Sequence, residues 1–134
     1  MDADRDLTDG LRAAMPLAAT LGIELAAAAP EEVRARLAHR DELTTAGGTL
    51  HGGALMSLAD AVGAYCAFLN LPDGSVRTAT IESKTNFFRP VGAGYVHAVS
   101  RPLHVGRTTI VVETDLFDDD ERRVARVTQT QAVL

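Results

Sequence analysis

The chain has 134 residues, 46% of them hydrophobic and 23% charged, with a net charge of −5 and a single cysteine. One domain over 1–134 is the expectation from that length, large enough to bury a core without staples. The negative balance and the 4% aromatic content argue against a nucleic-acid footprint, and one cysteine excludes an intrachain disulfide or a Cys-based zinc site.

Residues 1–6 are acidic and read as a disordered tail. Leu7, Leu11 and Met15 recur at spacing four, which predicts a short amphipathic helix ending near Pro16, with a further turn over Leu17–Leu21. Ile23–Ala29 is alanine-rich, and propensity alone favours a helix across 17–29. However, Val33–His39 alternates at period two, and Gly22 and Pro30 bracket the alanine run. A β-hairpin over 22–29 and 32–40 is therefore the preferred reading.

A polar connection, Asp41–Leu50, leads into His51-Gly52-Gly53 and then a helix to Leu69 whose only charge is Asp60. A helix apolar almost all round reads as a central, covered helix, with Asp60 a buried carboxylate inside it. Cys66 lies in the same helix and reads as core. Leu71–Ser75 signals a turn. Strand-like segments follow at Val76–Arg89, Gly94–His104, Thr108–Phe117 and Val124–Leu134, with an acidic hairpin tip at Asp118–Glu121. Short turns between them imply an antiparallel sheet, so the fold class is α+β, a curved sheet round the apolar helix. No uninterrupted apolar run reaches the ~18 residues of a membrane span, and no signal peptide is visible. The expectation is a cytoplasmic protein that engages no membrane.

Chemistry concentrates around the helix. At its N-terminus the first N–H groups lack intrahelical partners, and glycines let a carbonyl oxygen approach them. Asp60 lies nine residues beyond His51, about 13 Å along the axis. It cannot act at that N-terminus unaided. Two helices packed antiparallel would bring Asp60 of one chain to the glycines of another, which predicts a dimer with interface active sites. Thr80 opens the strand after the helix, where a hydroxyl can position a water. Arg89 and Arg107 stand at strand ends, where a guanidinium suits phosphate.

Taken together, Gly48-Thr49-Leu50-His51-Gly52-Gly53, Leu58-Ala59-Asp60-Ala61, Thr80 with Asn86-Phe87-Phe88-Arg89-Pro90, and Gly106-Arg107-Thr108 resemble the PaaI-like acyl-CoA thioesterases of the hotdog-fold superfamily. The resemblance runs from Leu21-Gly22-Ile23 to the last strand. It implies a curved antiparallel sheet wrapped round a long central helix, and a homodimer paired into a homotetramer. It also implies hydrolysis of an acyl-CoA thioester with no cofactor or metal. Asp60 would be general base or nucleophile, and the Gly52 N–H the oxyanion donor. His51 would hold the carbonyl or the loop, and Thr80 would orient the water. Arg89 and Arg107 would meet CoA phosphates. One position departs from the pattern: six residues before His51, where many relatives carry Asn or Gln, stands Thr45, whose hydroxyl offers one hydrogen bond in place of an amide. Two other readings stay open on the residues alone: an acyl-thioester dehydratase or hydratase pairing His51 with Asp60 across the interface, and a non-catalytic acyl-CoA binding module.

Overall fold

The computed structural model describes residues 1–134. Two short helices lead the chain, α1 (Arg5–Ala14) and α2 (Pro16–Leu21). The acidic tail is shorter than the composition suggests. Asp4 caps α1 by accepting from the Leu7 N–H at 3.0 Å, and its own N–H donates to the Leu25 carbonyl at 2.7 Å. A carboxylate at a helix N-terminus meets unpaired donors, so an acidic run that looks frayed becomes a cap.

The alanine-rich segment is a strand. β1 (Glu24–Ala29) pairs antiparallel with β2 (Glu32–Ala38), and Val33, Ala35 and Leu37 of β2 turn inward. Pairing and burial override the helix propensity of alanine here. The long helix α3 spans Gly52–Leu69, with His51 as N-cap and Asn70 closing its last turn on the Cys66 carbonyl at 2.8 Å. The remaining strands are β3 (Thr78–Phe87), β4 (Tyr95–Val105), β5 (Thr109–Phe117) and β6 (Arg123–Val133).

All six strands form one sheet in the order β1-β2-β4-β5-β6-β3, with every pairing antiparallel. Consecutive strands are not all neighbours. β4 is flanked on both sides by β2 and β5, so β3 pairs instead with the free side of β6. The sheet packs on α3, whose Leu58, Val62 and Cys66 are fully buried against it. Each such aliphatic side chain contributes about 1.5–3 kcal/mol. Burial pushes the Cys66 thiol up to about 11, so the group stays protonated and inert.

By length and composition α3 alone could cross a membrane, but it is packed as the core helix. It is not covered on all sides. Met56 and Phe68 are 42% and 49% exposed, and Asp60 is exposed with them, so the expected burial of Asp60 does not hold within one chain. Residues 56, 60, 64 and 68 share one helix face, and the sheet covers the other.

The two sheet edges differ. β1 is shielded by α1, with Thr8 Oγ1 accepting from the Leu25 N–H at 2.9 Å. β3 has no such cover, and its Ile81 is 60% exposed.

Candidate active site

Asp60 stands on the open face of α3 beside β3. Its one polar partner in the chain is the Thr80 hydroxyl, 3.4 Å from Asp60 Oδ1. Thr80 Oγ1 in turn accepts from Gln131 Nε2 at 2.7 Å. The register sets this up: Thr80 of the edge strand lies opposite Gln131 of β6, and α3 crosses above them. A bulge between Thr80 and Glu82 follows, which re-aims the strand directly after Thr80.

Asp60 also borders a groove of about 460 Å³ between α2 and α3. Its walls are mostly apolar, with Met15, Leu17 and Leu21 on one side and Met56, Ala61 and Ala64 on the other, and Ser57 and Ser83 add two hydroxyls. A carboxylate at the margin of an apolar groove can face both a reacting polar group and an apolar tail.

The N-terminus of α3 forms a second centre. His51 Nδ1 accepts from the Gly53 N–H at 2.7 Å. A Cβ at Gly53 would stand 2.9 Å from that nitrogen, so the tight cap requires glycine. The Gly52 N–H, at the first helical position, finds no acceptor in the chain. Gly52 lines a shallow hollow of about 340 Å³ together with Phe87 and Arg89. Gly52 is held by packing, since a Cβ there would press on the Phe87 ring at 3.2 Å. Arg89 donates to the Arg123 carbonyl at 3.3 Å and keeps its other N–H groups. Thr45 lies in the loop before His51, exposed, with its N–H donating to the Thr49 carbonyl at 2.8 Å.

Within one chain the predicted residues therefore form two groups. Asp60 meets Thr80. His51, Gly52 and Arg89 gather at the start of α3. Helical rise keeps the groups apart, the eight residue steps from Gly52 to Asp60 spanning about 12 Å. His51 and Asp60 form no His–acid pair in the chain. Arg107, in the turn between β4 and β5, is exposed and lies at the end of the sheet opposite Arg89, since Thr109 pairs with Ala132 and Phe117 with Arg123.

Sequence reasoning missed Gln131 and the groove wall supplied by α2. Gln131 had a signal: Ala125, Val127, Gln129 and Gln131 share inward parity on β6, and an amide at a core position stands out against alternation. A larger hollow, about 720 Å³, lies on the outer face of the sheet, remote from these groups. Within it His97 pairs with Asp119, while Arg36 reaches out of it to Glu24.

Comparison with known proteins supplies the remaining constraint. Residues 47–125, more than half of the chain, match the family model of the thioesterase superfamily. The proofreading thioesterase EntH of Cronobacter sakazakii is 34% identical over 87 residues, covering 65% of this chain and 63% of that protein. The crystal structure of a mutant thioesterase of Pseudomonas aeruginosa superposes with a TM-score of 0.88 at 29% identity, over 95% of this chain and 93% of that one. A thioesterase of Haemophilus influenzae superposes equally well, TM-score 0.88, over 100% of this chain and 92% of that one, and at 24% identity it speaks to the fold.

Proposed function

This chain belongs to the thioesterase superfamily and is a thioester hydrolase of the hotdog fold, and on that premise we propose that it is an acyl-CoA thioesterase whose active site is shared between two chains. The observation that carries the reading is the placement of Asp60, an exposed carboxylate with one hydroxyl partner at the margin of an apolar groove. The groove takes the acyl group. The thioester carbonyl lies next to Asp60, which removes a proton from the attacking water or attacks the carbonyl itself. The C–S bond breaks, and CoA leaves as the thiol once it has received a proton; where Asp60 is the nucleophile, water then hydrolyses the mixed anhydride formed on it, releasing the acid and restoring the carboxylate.

The oxyanion of the tetrahedral intermediate needs a preorganised donor. The unpartnered N–H of Gly52 is such a donor, but it is about 12 Å from Asp60 of its own chain. A second copy joined along the exposed edge of β3 supplies it, because an uncovered ten-residue edge strand is a template for pairing. In that arrangement Thr80 holds the carboxylate and the water. His51 holds the turn that presents Gly52, and Thr45 adds a hydroxyl from the same loop. Arg89, in the hollow with Gly52, meets a CoA phosphate, and Arg107 meets the nucleotide from the other end of the sheet. Homodimers pair further into a homotetramer, and sedimentation of the purified chain measures that state directly.

Thiol release from a panel of acyl-CoAs tests the proposal. The wild type releases CoA and Asp60→Asn does not. General base catalysis contributes about 10²–10⁴-fold, so a loss of that size is expected. Undiminished release by Asp60→Asn sinks the assignment.

A further inference from the structure

Gln131 is buried to 1% exposure, yet only one end of its amide is used. Nε2 donates to Thr80 Oγ1 at 2.7 Å, while Oε1 is enclosed with no partner. An apolar side chain of the same length would fill this place without stranding a carbonyl. Core stability alone therefore does not account for an amide here.

The direction of the hydrogen bonds does account for it. A threonine hydroxyl has one proton and two lone pairs. Because Gln131 Nε2 donates to Thr80 Oγ1, the Thr80 proton cannot point back at Gln131. It is left free for the other polar neighbour in the chain, Asp60 Oδ1, 3.4 Å away. With the amide turned over, its carbonyl would take the Thr80 proton and Asp60 would lose its only donor in the chain.

We propose that Gln131 is a positioning residue that fixes Thr80 as the hydrogen-bond donor to Asp60, leaving Asp60 Oδ2 free for the reacting water or carbonyl. This rests on the reading of Asp60 as the catalytic carboxylate. Gln131 touches no reacting atom. It acts through Thr80, from the second strand in from the edge, and it is anchored in the core while Thr80 and Asp60 lie at the surface of the protomer.

The test uses the full chain and the best-hydrolysed member of an acyl-CoA panel, with Gln131→Met, Thr80→Val, the double variant and Asp60→Asn. Misplacement of a reacting group by an ångström can cost on the order of 100-fold, and loosening rather than displacing it is expected to cost roughly tenfold. The expected result is that Gln131→Met loses kcat by that factor with KM unchanged, and that the double variant is no slower than Thr80→Val. A role confined to packing would slow both backgrounds alike. Should Gln131→Met fail to fold, Gln131→Asn keeps the amide but withdraws it from Thr80, and the same kcat loss is expected. Unchanged kcat in the folded Gln131 variants, or an equal further loss in the Thr80→Val background, overturns the relay. Wild-type rates in Asp60→Asn would instead overturn the carboxylate reading itself.

Discussion

Asp60 Oδ1 and Thr80 Oγ1 stand 3.4 Å apart, the carboxylate on the open face of α3 and the hydroxyl on the uncovered edge strand. That contact joins the helix to the edge strand that lies uncovered. Lengthening the carboxylate should break its alignment while keeping its charge. Asp60→Glu is expected to lose about 100-fold in kcat, the cost of roughly an ångström of misplacement, with little change in thermal midpoint. Steady-state thiol release combined with a melting curve checks both halves, and a Glu variant at wild-type rate contradicts the placement.

His51 caps α3 through Nδ1, and loss of a cap costs about 1 kcal/mol. His51→Ala should lower the midpoint of thermal unfolding by about 3–5 °C. It should also slow turnover, because the same turn presents Gly52. His51→Asn, whose side chain can accept from the same N–H, should recover most of the stability. A midpoint untouched by His51→Ala would mean that the cap holds nothing.

Gly63 permits a close approach between α3 and β6. A Cβ there would stand 2.6 Å from Gln129 Oε1, and both polar atoms of that buried amide lack partners. The amide is fully buried, so making way for a Cβ means shifting it within a packed core. Gly63→Ala should cost about 1–3 kcal/mol by overpacking, against a small gain in helix propensity. Urea unfolding measures it, and a stabilised Gly63→Ala would refute the close fit.

The acidic hairpin tip is tied to the sheet by Asp119. The His97 ring at 2.7 Å and the Tyr95 N–H at 3.1 Å hold the Asp119 carboxyl below its ordinary value of 3.8. A carboxyl depressed on folding stabilises the fold above its unfolded value, and the contribution is lost as pH falls through the lower folded value. The stability gap between wild type and Asp119→Asn should therefore be open at pH 5 and close toward pH 3. Asp119 is half exposed, so solvent screening keeps the gap small. A gap that stays constant across this window removes the carboxylate as its source. Gly94 is expected to be intolerant of alanine as well, since its φ is +70° and a Cβ would run into Asp119 Oδ2.

In the proposed site the groove beside Asp60 takes the acyl group, which makes its lining the determinant of substrate choice. Its walls carry Met15, Leu17, Leu21 and Met56 and no charged group besides Asp60. Aliphatic and unsubstituted aryl acyl-CoAs should be hydrolysed faster than hydroxylated or carboxylated analogues of the same size. A missing or added methylene in such a pocket shifts kcat/KM by about 10–200-fold. Met56→Ala should move the optimum toward longer acyl groups. A preference for hydroxylated acyl groups would place the acyl site elsewhere.

Much of the fold was legible because its signals are local. The alternation of Val33–His39 outweighed the alanine propensity of the preceding strand, and the apolar run after His51 marked the long helix. The separation of Gly52 from Asp60 followed from helical rise alone. What was not legible is non-local. Asp60 was expected to be buried, yet nothing in the helix sequence says that the sheet covers only one side of it. Strand order was hidden for the same reason, since pairing of β3 with β6 depends on β4 being already flanked. The Thr80–Gln131 contact joins residues fifty-one positions apart, and only the inward parity of two glutamines hinted at it.

The division of α3 into two faces has a consequence for how this protein can change. Leu55, Leu58, Val62 and Cys66 hold the fold, while Met56, Ala61 and Ala64 line the groove. Neighbouring positions on one helix thus answer to separate pressures. In the proposed site, substitutions on the groove side retune acyl preference while the stability margin that tolerates further mutation stays intact. New specificities can then accumulate in single steps, without a compensating repair of the core between them.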